Sequence, residues 1–437
     1  MKNVINVGLL GFGTIGTGVV RVLQKNADVI AQRLGAPVRL LKIADLDIIT
    51  DRGVQVEPGL LTTNVEDVVS HPDIDVVIEL IGGYEPAKSF LLKAIANGKH
   101  VVTANKALMA VHGQEIITAA NKAGVSVMFE AAVGGGIPVI SPIKESLGAN
   151  RFSAVLGILN GTCNYILTKM TDHGSEFSAV LKEAQQLGYA EADPTFDIEG
   201  VDTAHKIALL SALCFGTRVD FDQVYIEGIS NIDAVDISFA KQMGYKIKLL
   251  AIGKNHGDQI EVRVHPTMIP AEDQLAEVDG AFNAVRLTGD FVGPTLLYGS
   301  GAGMDPTASA VMGDVMAIGR DMLSGARLRV PIMGYTEDAV QSLPIRPMSD
   351  IISHYYLHFK SLDRPGVLAK IAGCLGDHSI SIQSMIQPER HDSDCVPIVL
   401  MTHAAKEADV VKALKVIEAF DITCQKPRLI RVEHDLG

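Results

Sequence analysis

A lysine that can take or give a proton, and carboxylates that can hold a cationic substrate, occur in three short stretches of the chain. Thr103-Ala104-Asn105-Lys106-Ala107 places Lys106 directly after a strand-like apolar run. Gly188-Tyr189-Ala190-Glu191-Ala192-Asp193-Pro194-Thr195-Phe196-Asp197 reads as a turn whose carboxylates, Glu191, Asp193 and Asp197, suit a substrate ammonium. Asp202-Thr203-Ala204-His205-Lys206 opens a helix, and Asp202 and Lys206, four residues apart, share one face of it. Each stretch has an ordinary alternative: a solvated lysine at a helix start, a polar turn, and a surface ion pair worth about 0.3–0.5 kcal/mol. The apolar run Ile207 to Leu213 argues that the third helix is buried, where a Lys/Asp pair is costly unless used. His205 reads as a packed or capping histidine.

A fourth feature offers a place for a cofactor. Gly11-Phe12-Gly13-Thr14-Ile15-Gly16 lies between the apolar run Val4 to Leu10 and a helical stretch, Gly16 to Gln32. In a dinucleotide fingerprint the first glycine makes the tight turn and the second admits the pyrophosphate. The third lets helix and strand pack, and the helix N-terminus presents free N–H groups. A glycine turn without a ligand is the plain alternative. Asp45 stands where an acidic residue is expected to bind the adenosine ribose, though further along than the usual ~20 residues. It favours NAD; Arg39, Lys42 and Arg52 nearby leave NADP open.

Strand-like runs at Val38 to Ala44, Val76 to Ile81, His100 to Thr103 and Val125 to Phe129 alternate with helical patterns. They predict a doubly wound parallel sheet over residues 1–135. Gly134-Gly135-Gly136 and Pro138 mark its exit. Residues 136–299 mix helices (Phe177 to Gly188, Thr203 to Phe215) with strands (Ser153 to Leu159, Lys246 to Ile252, Gln259 to His265), an α+β pattern. A returning segment, 300–330, carries a glycine turn and a helix from Pro306 to Leu323, with Pro306 near its first turn. Residues 331–350, with Pro331, Pro344 and Pro347, read as a linker. Residues 351–437 follow the order β-α-β-β-α-β, a ferredoxin-like plan.

Bulk properties exclude several classes. With 47% hydrophobic and 20% charged residues, the 437-residue chain is globular, and its length suits about three domains. A net charge of -13 argues against nucleic acid or anionic membrane as a general partner. No apolar run is long enough to span a bilayer. The five cysteines are scattered and odd in number, which argues against a disulfide framework or a zinc ribbon. With no signal-peptide pattern at the N-terminus, a cytoplasmic protein is expected.

The motifs N-K-A-L, E-A-A-V-G-G-G-I-P, I-L-N-G-T-C-N-Y-I-L, G-Y-A-E-A-D-P-T-F-D and D-T-A-H-K, in this order, resemble the homoserine dehydrogenase family from residue 1 to about 325. The resemblance implies NAD(P)-dependent interconversion of L-homoserine and L-aspartate 4-semialdehyde, in the single-function form. It also implies that residues 136–299 bind substrate and pair subunits into a homodimer or homotetramer. Carried over by position, Lys206 exchanges the proton at the C4 oxygen, Lys106 assists there, and Glu191, Asp197 and Asp202 bind substrate. An unperturbed lysine titrates near ~10.4, and burial or the second cation would bring it toward working pH. Gly188 and Gly303 match cofactor-contacting positions, alongside Gly11 to Gly16, Asp45 and Lys106. A sodium or potassium ion held largely by backbone carbonyls would fall on Glu130, Val133, Gly135 and Ile137.

Asp363-Arg364-Pro365-Gly366-Val367-Leu368 in its βαββαβ frame resembles an ACT domain, which implies regulation by an amino acid such as threonine. A purely structural pairing module is the alternative. Two rival functions remain. Cys163 could be a thiol nucleophile of a phosphorylating aldehyde dehydrogenase, although a buried structural cysteine is preferred. A sensor of dinucleotide and amino acid without turnover is disfavoured by the presence of both lysines and the carboxylates.

Overall fold

The computed structural model describes residues 3–387, 395–434 and 436. The first unit comprises β1 (Ile5–Leu10), α1 (Thr14–Lys25), α2 (Ala27–Leu34), β2 (Val38–Ala44), β3 (Leu61–Thr62), α3 (Glu66–Val69), β4 (Val76–Glu79), α4 (Ala87–Ala96), β5 (His100–Thr103), α5 (Lys106–Ala123) and β6 (Val127–Met128). Its strands are all parallel, in the order β3-β2-β1-β4-β5-β6. Helices cover both faces, so Ile5, Val7 and Leu9 of β1 are as buried as Leu10, and β4 is apolar from Val76 to Ile78 before it ends on buried Glu79. Connections leave β1 in opposite directions, so a crevice opens at the strand C-termini, where such sheets bind ligands. The helical stretch from Gly16 to Gln32 is two helices, because Asn26 leaves helical geometry at φ -117 and ψ 21.

The central unit contains α6 (Ile140–Lys144), β7 (Phe152–Ile158), α7 (Gly161–His173), α8 (Phe177–Gln186), α9 (Thr195–Ile198), α10 (Val201–Phe215), β8 (Tyr225–Ile226), α11 (Ala234–Gln242), β9 (Tyr245–Asn255), β10 (Ile260–Pro270), β11 (Phe282–Gly289) and β12 (Gly293–Ser300). β12-β11-β7-β9-β10 run antiparallel. The β11–β12 hairpin is absent from the expectations, since its buried strand lacks alternation. α12 (Met304–Ser324) then returns to the first unit. A Cβ on Gly18 of α1 would lie 2.8 Å from Met304 Cγ, so glycine there permits close packing of α1 on α12.

β13 (Ile352–Leu362), α13 (Val367–Asp377), β14 (Ile382–Ile386), β15 (Cys395–Thr402), β16 (Ala405–Lys406), α14 (Glu407–Glu418) and β17 (Arg428–Val432) complete the chain. The strand order β17-β13-β15-β14, all antiparallel, is the expected ferredoxin-like arrangement. Two features depart from expectation. β17 also pairs in parallel with β10, through Thr267↔Arg431 and Met268↔Val432. The central and C-terminal sheets are therefore one sheet of eleven strands, in which each unit covers an edge the other would expose.

The second departure is a disulfide between Cys395 and Cys424, with Cα atoms 6.5 Å apart, where the scattered, odd-numbered cysteines argued against a disulfide framework. The two are 29 residues apart in sequence, so local spacing carries no sign of them. β13 brings them together: Cys395 pairs with Leu362, and the Cys424 N–H donates to Lys360 O. Cys163, Cys214 and Cys374 are free and buried. Among the described residues no helix is long and apolar enough to cross a membrane.

Candidate functional site

The glycine loop has the expected division of labour. Gly11 sits at φ +94, where a Cβ would strike Leu80 O at 2.8 Å. A Cβ on Gly16 would lie 2.2 Å from Gly11 O, so only glycine lets α1 start there. Gly13 faces open space, with nothing within 4 Å of a Cβ, which leaves room for a phosphate over Thr14 and Ile15 at the start of α1. Asp45 is tied into the loop: Oδ2 accepts the Phe12 N–H, and Oδ1 accepts that of Asp47 at 2.8 Å. The nearby cations are differently placed. Lys42 donates to Gly59 O (2.6 Å), Arg52 pairs with Asp47 (3.0 Å), and Arg39 lies exposed in mid-strand, away from the crevice end of β2.

Two asparagine caps bring the reacting groups together. Asn105 caps α5 by accepting the Leu108 N–H at 3.1 Å, and its own N–H donates to Thr103 Oγ1 at 2.9 Å. The Thr103 hydroxyl donates to buried Glu79 (2.6 Å), which also accepts the Ile81 and Gly82 N–H groups. Lys106 is thereby fixed at the first turn of α5, aimed from the crevice toward α10. Its Nζ lies 3.1 Å from Asp202 Oδ1. Lys206 Nζ lies 2.6 Å from Asp202 Oδ2 and donates to Leu159 O, also at 2.6 Å.

One carboxylate thus bridges lysines from two units of the fold. The Asp202 side chain is 6% exposed and that of Lys206 11%, whereas Lys106 keeps 32% and faces the crevice. Burial opposes ionisation of Asp202, but Lys206 and Lys106 outweigh it and hold the carboxyl well below the usual range. Asp197 moves the other way. Burial, and then the Asp202 charge, raise its carboxyl and outweigh the opposing effects of Asn160, Lys206 and Thr162.

Asn160 completes the cluster and carries no assigned role in the sequence reading. It caps α7 through the Cys163 N–H (2.8 Å), and its Nδ2 donates to Asp197 Oδ1 (2.8 Å) and Asp202 Oδ2 (2.9 Å). The Thr162 hydroxyl lies 2.6 Å from Tyr189 O and 3.2 Å from Asp197 Oδ2. Asn160 stands in the I-L-N-G-T-C-N motif, and the available signal was an asparagine where a strand turns into a helix. Asn160→Ala lets the two carboxylates repel and drift, so kcat/KM is expected to fall about 10²-fold. Steady-state kinetics checks it, and Asn160→Asp, which adds a third negative charge, should fare worse.

Other expected residues fall into two groups. Glu191 lies on the exposed turn, where only its carbonyl is engaged, by Gln185, and its carboxylate makes no hydrogen bond to the cluster. Gly188 (φ +77) faces open space in the same turn, and Gly303 (φ +115) precedes α12. His205 is packed as expected, stacked between Phe196 and Phe221. Burial and then the Lys106 charge lower its pKa to about 4, so it is neutral at working pH. Cys163 is buried with Sγ on Asp197 O at 3.2 Å. Burial first, then Asp197 and Asp202, hold it a thiol, which goes against the nucleophile reading.

The glycine exit loop packs backbone to backbone on the returning segment, since a Cβ on Gly135 would lie 2.4 Å from Gly301 O. The Glu130 carboxylate accepts the Val139, Ile140 and Ser141 N–H groups at 2.6–2.7 Å, which leaves its carbonyl as its free ligand for an ion. That carbonyl receives only a long bond from the Val133 N–H (3.3 Å). The Val133, Gly135 and Ile137 carbonyls receive no hydrogen bond from the described residues, which fits a monovalent cation.

Three family models match the chain: "Homoserine dehydrogenase, NAD binding domain" over residues 11–130, "Homoserine dehydrogenase" over 138–316, and "ACT domain" over 355–421. A homoserine dehydrogenase of Neisseria gonorrhoeae is 48% identical over 99% of both chains. One of Pseudomonas aeruginosa is 46% identical over 98% of this chain and 99% of its own. The crystal structure of a homoserine dehydrogenase from Thiobacillus denitrificans superposes with a TM-score of 0.93 at 50% identity, covering 99% of this chain and 98% of that one.

Proposed function

The chain belongs to the homoserine dehydrogenase family, and from that premise we propose that Lys206, with Asp202 and Lys106, runs the proton transfer of its NAD(P)-dependent reaction. The enzyme interconverts L-homoserine and L-aspartate 4-semialdehyde by oxidation and reduction at a CH–OH carbon. The observation that carries the proposal is the single buried carboxylate, Asp202, bridging two lysines at the crevice. Bound against the glycine loop, NAD(P) would supply the hydride acceptor or donor for the carbinol carbon. The hydroxyl proton is left over and needs a base.

A neutral Lys206 amine takes that proton in the oxidising direction, and its ammonium returns it in the reducing direction. Lys106 donates a hydrogen bond to the same oxygen and stabilises negative charge developing there. Asp202 holds both lysines in register. Asp197 and Glu191 receive the substrate ammonium. Asp45 meets the adenosine ribose, and Arg52, in the loop beyond β2, meets the 2′-phosphate of NADP. The direct test is turnover of Lys206 variants.

A sodium or potassium ion on the Glu130, Val133, Gly135 and Ile137 carbonyls would tie the exit loop to the segment before α12. Activity measured in N-methylglucamine buffer is expected to rise on adding sodium or potassium chloride, but not lithium chloride at equal ionic strength. Equal activity in all three would remove the ion from the scheme.

Feedback through the C-terminal module is the regulatory part of the proposal, with threonine as effector. Gly366 (φ +89) precedes the first turn of α13, and a helix N-terminus suits a carboxylate. Gly366→Asp places a competing carboxylate there, and aspartate tolerates the left-handed geometry better than most residues. Threonine is expected to inhibit the wild-type enzyme and to lose potency against this variant, with basal turnover kept. Truncation near Asp350 does not isolate the effector site, because it strips β17 from β10.

A further inference from the structure

A cavity of about 420 Å³ lies away from the lysine cluster, where α5, α10 and the segment between α12 and β13 meet. Its walls are largely apolar: Met109 and Ile117 from α5, Leu209 from α10, and Ile332, Met333 and Val340 from the connecting segment. Met109 and Leu209 stand three residues after Lys106 and Lys206, so each shares a helical face with a lysine, one turn away. Whatever fills the cavity therefore touches both helices that carry the lysines.

The third wall is pinned independently of any ligand. Tyr335 donates from Oη to Cys214 O at 3.1 Å, and its ring fills the space that a Cβ on Gly216 would need. The Gln341 N–H donates to Gly216 O at 2.8 Å, and the Arg218 N–H to Gln341 O at 3.0 Å. This segment runs on toward β13, so the cavity borders the first and central units and the segment that joins them to the C-terminal one.

The polar groups at the mouth define the ligand. The Arg218 guanidinium is exposed and makes no ion pair among the described residues. Glu337 is engaged by Asn121 at 3.5 Å. A volume of this size falls within the range of about 300–1,000 Å³ typical of small-molecule sites. We propose that this cavity is a second ligand site, which takes a compact branched aliphatic or thioether chain carrying one carboxylate. The carboxylate pairs with Arg218 at the mouth, and the chain lies between Met109, Leu209 and Met333.

Such a ligand bridges α5 and α10 and opposes their separation when the crevice opens to release cofactor. Binding is expected to lower kcat about fivefold or more without competing with homoserine. The reading is independent of the role given to Lys206, since it needs only the position of the two helices.

The experiment is calorimetric titration of the full-length enzyme with 4-methylpentanoate, 4-methyl-2-oxopentanoate and L-leucine. The arms separate a simple carboxylate, an oxo acid and an amino acid as the source of the same chemistry. Gly113→Leu fills the cavity from α5. The position is helical, and an added Cβ meets nothing closer than Met109 Cε at 3.6 Å, so the fold and basal turnover should persist. Saturable binding to the wild type is expected with at least one probe. It should weaken about tenfold in Arg218→Gln and vanish in Gly113→Leu. Absence of binding by all three probes, binding unchanged in both variants, or competition with homoserine would each overturn the proposal.

Discussion

Lys206→Met is expected to lower kcat by about 10²–10⁴-fold, the usual worth of a positioned acid–base group. The fall should appear equally in both directions, because the same nitrogen takes the proton from homoserine and returns it to the semialdehyde. Binding of cofactor and homoserine, followed by calorimetry, should remain measurable. Lys206→Arg separates chemistry from charge. It keeps a cation beside Asp202, so the carboxylate stays paired, but guanidinium does not give up a proton near neutral pH. Turnover retained by the arginine variant would reduce Lys206 to a counter-ion and sink the mechanism.

The pH dependence of stability carries a related sign. Asp202 has a depressed pKa in the folded state, so its ion pairs stabilise above the unfolded value of about 3.9 and weaken as pH falls toward the folded one. Removing Lys206 removes the larger Coulombic cause of that depression. Acid unfolding of Lys206→Met should therefore depend less steeply on pH than that of the wild type.

What was legible in sequence was local. Gly11 and Gly16 each answer a steric demand set by residues within one turn or at the end of an adjacent strand, and Gly13 between them leaves open space, so their spacing carries the meaning. The pair of Asp202 and Lys206 was legible for the same reason, since four residues on a helix make neighbours. Lys106 reached the cluster in the argument only through strand C-termini and family resemblance, and its contact with Asp202 spans two units of the fold. Asn160 was invisible as a functional residue. Its amide serves two carboxylates 37 and 42 residues away, and no window contains all three. The β10–β17 pairing and the Cys395–Cys424 disulfide failed to show for the same physical reason: register between distant strands is set by packing, not by local pattern.

The seam joining β10 and β17 leads to the second large effect. Arg431 of β17 is 4% exposed and forks onto Glu407, with Nε to Oε2 at 3.1 Å and Nη2 to Oε1 at 2.6 Å. Nη1 reaches Glu227 at 2.6 Å, and the guanidinium lies over the Tyr225 ring at 5.0 Å. One side chain thus holds α14 of the C-terminal module against the β8 region of the central unit. Glu407 is itself 5% exposed, so Arg431→Met leaves a buried carboxylate without its cation, a loss of about 3–5 kcal/mol. Glu227 is 33% exposed and can turn to water, so the damage should concentrate on Glu407. Differential scanning calorimetry should show the C-terminal module melting early, and limited proteolysis should cut first in residues 325–351. The double variant Arg431→Met/Glu407→Met removes both charges and should recover most of the loss. A double variant as unstable as the single one would show that the seam depends on main-chain pairing through Thr267 and Met268, and not on the buried ions.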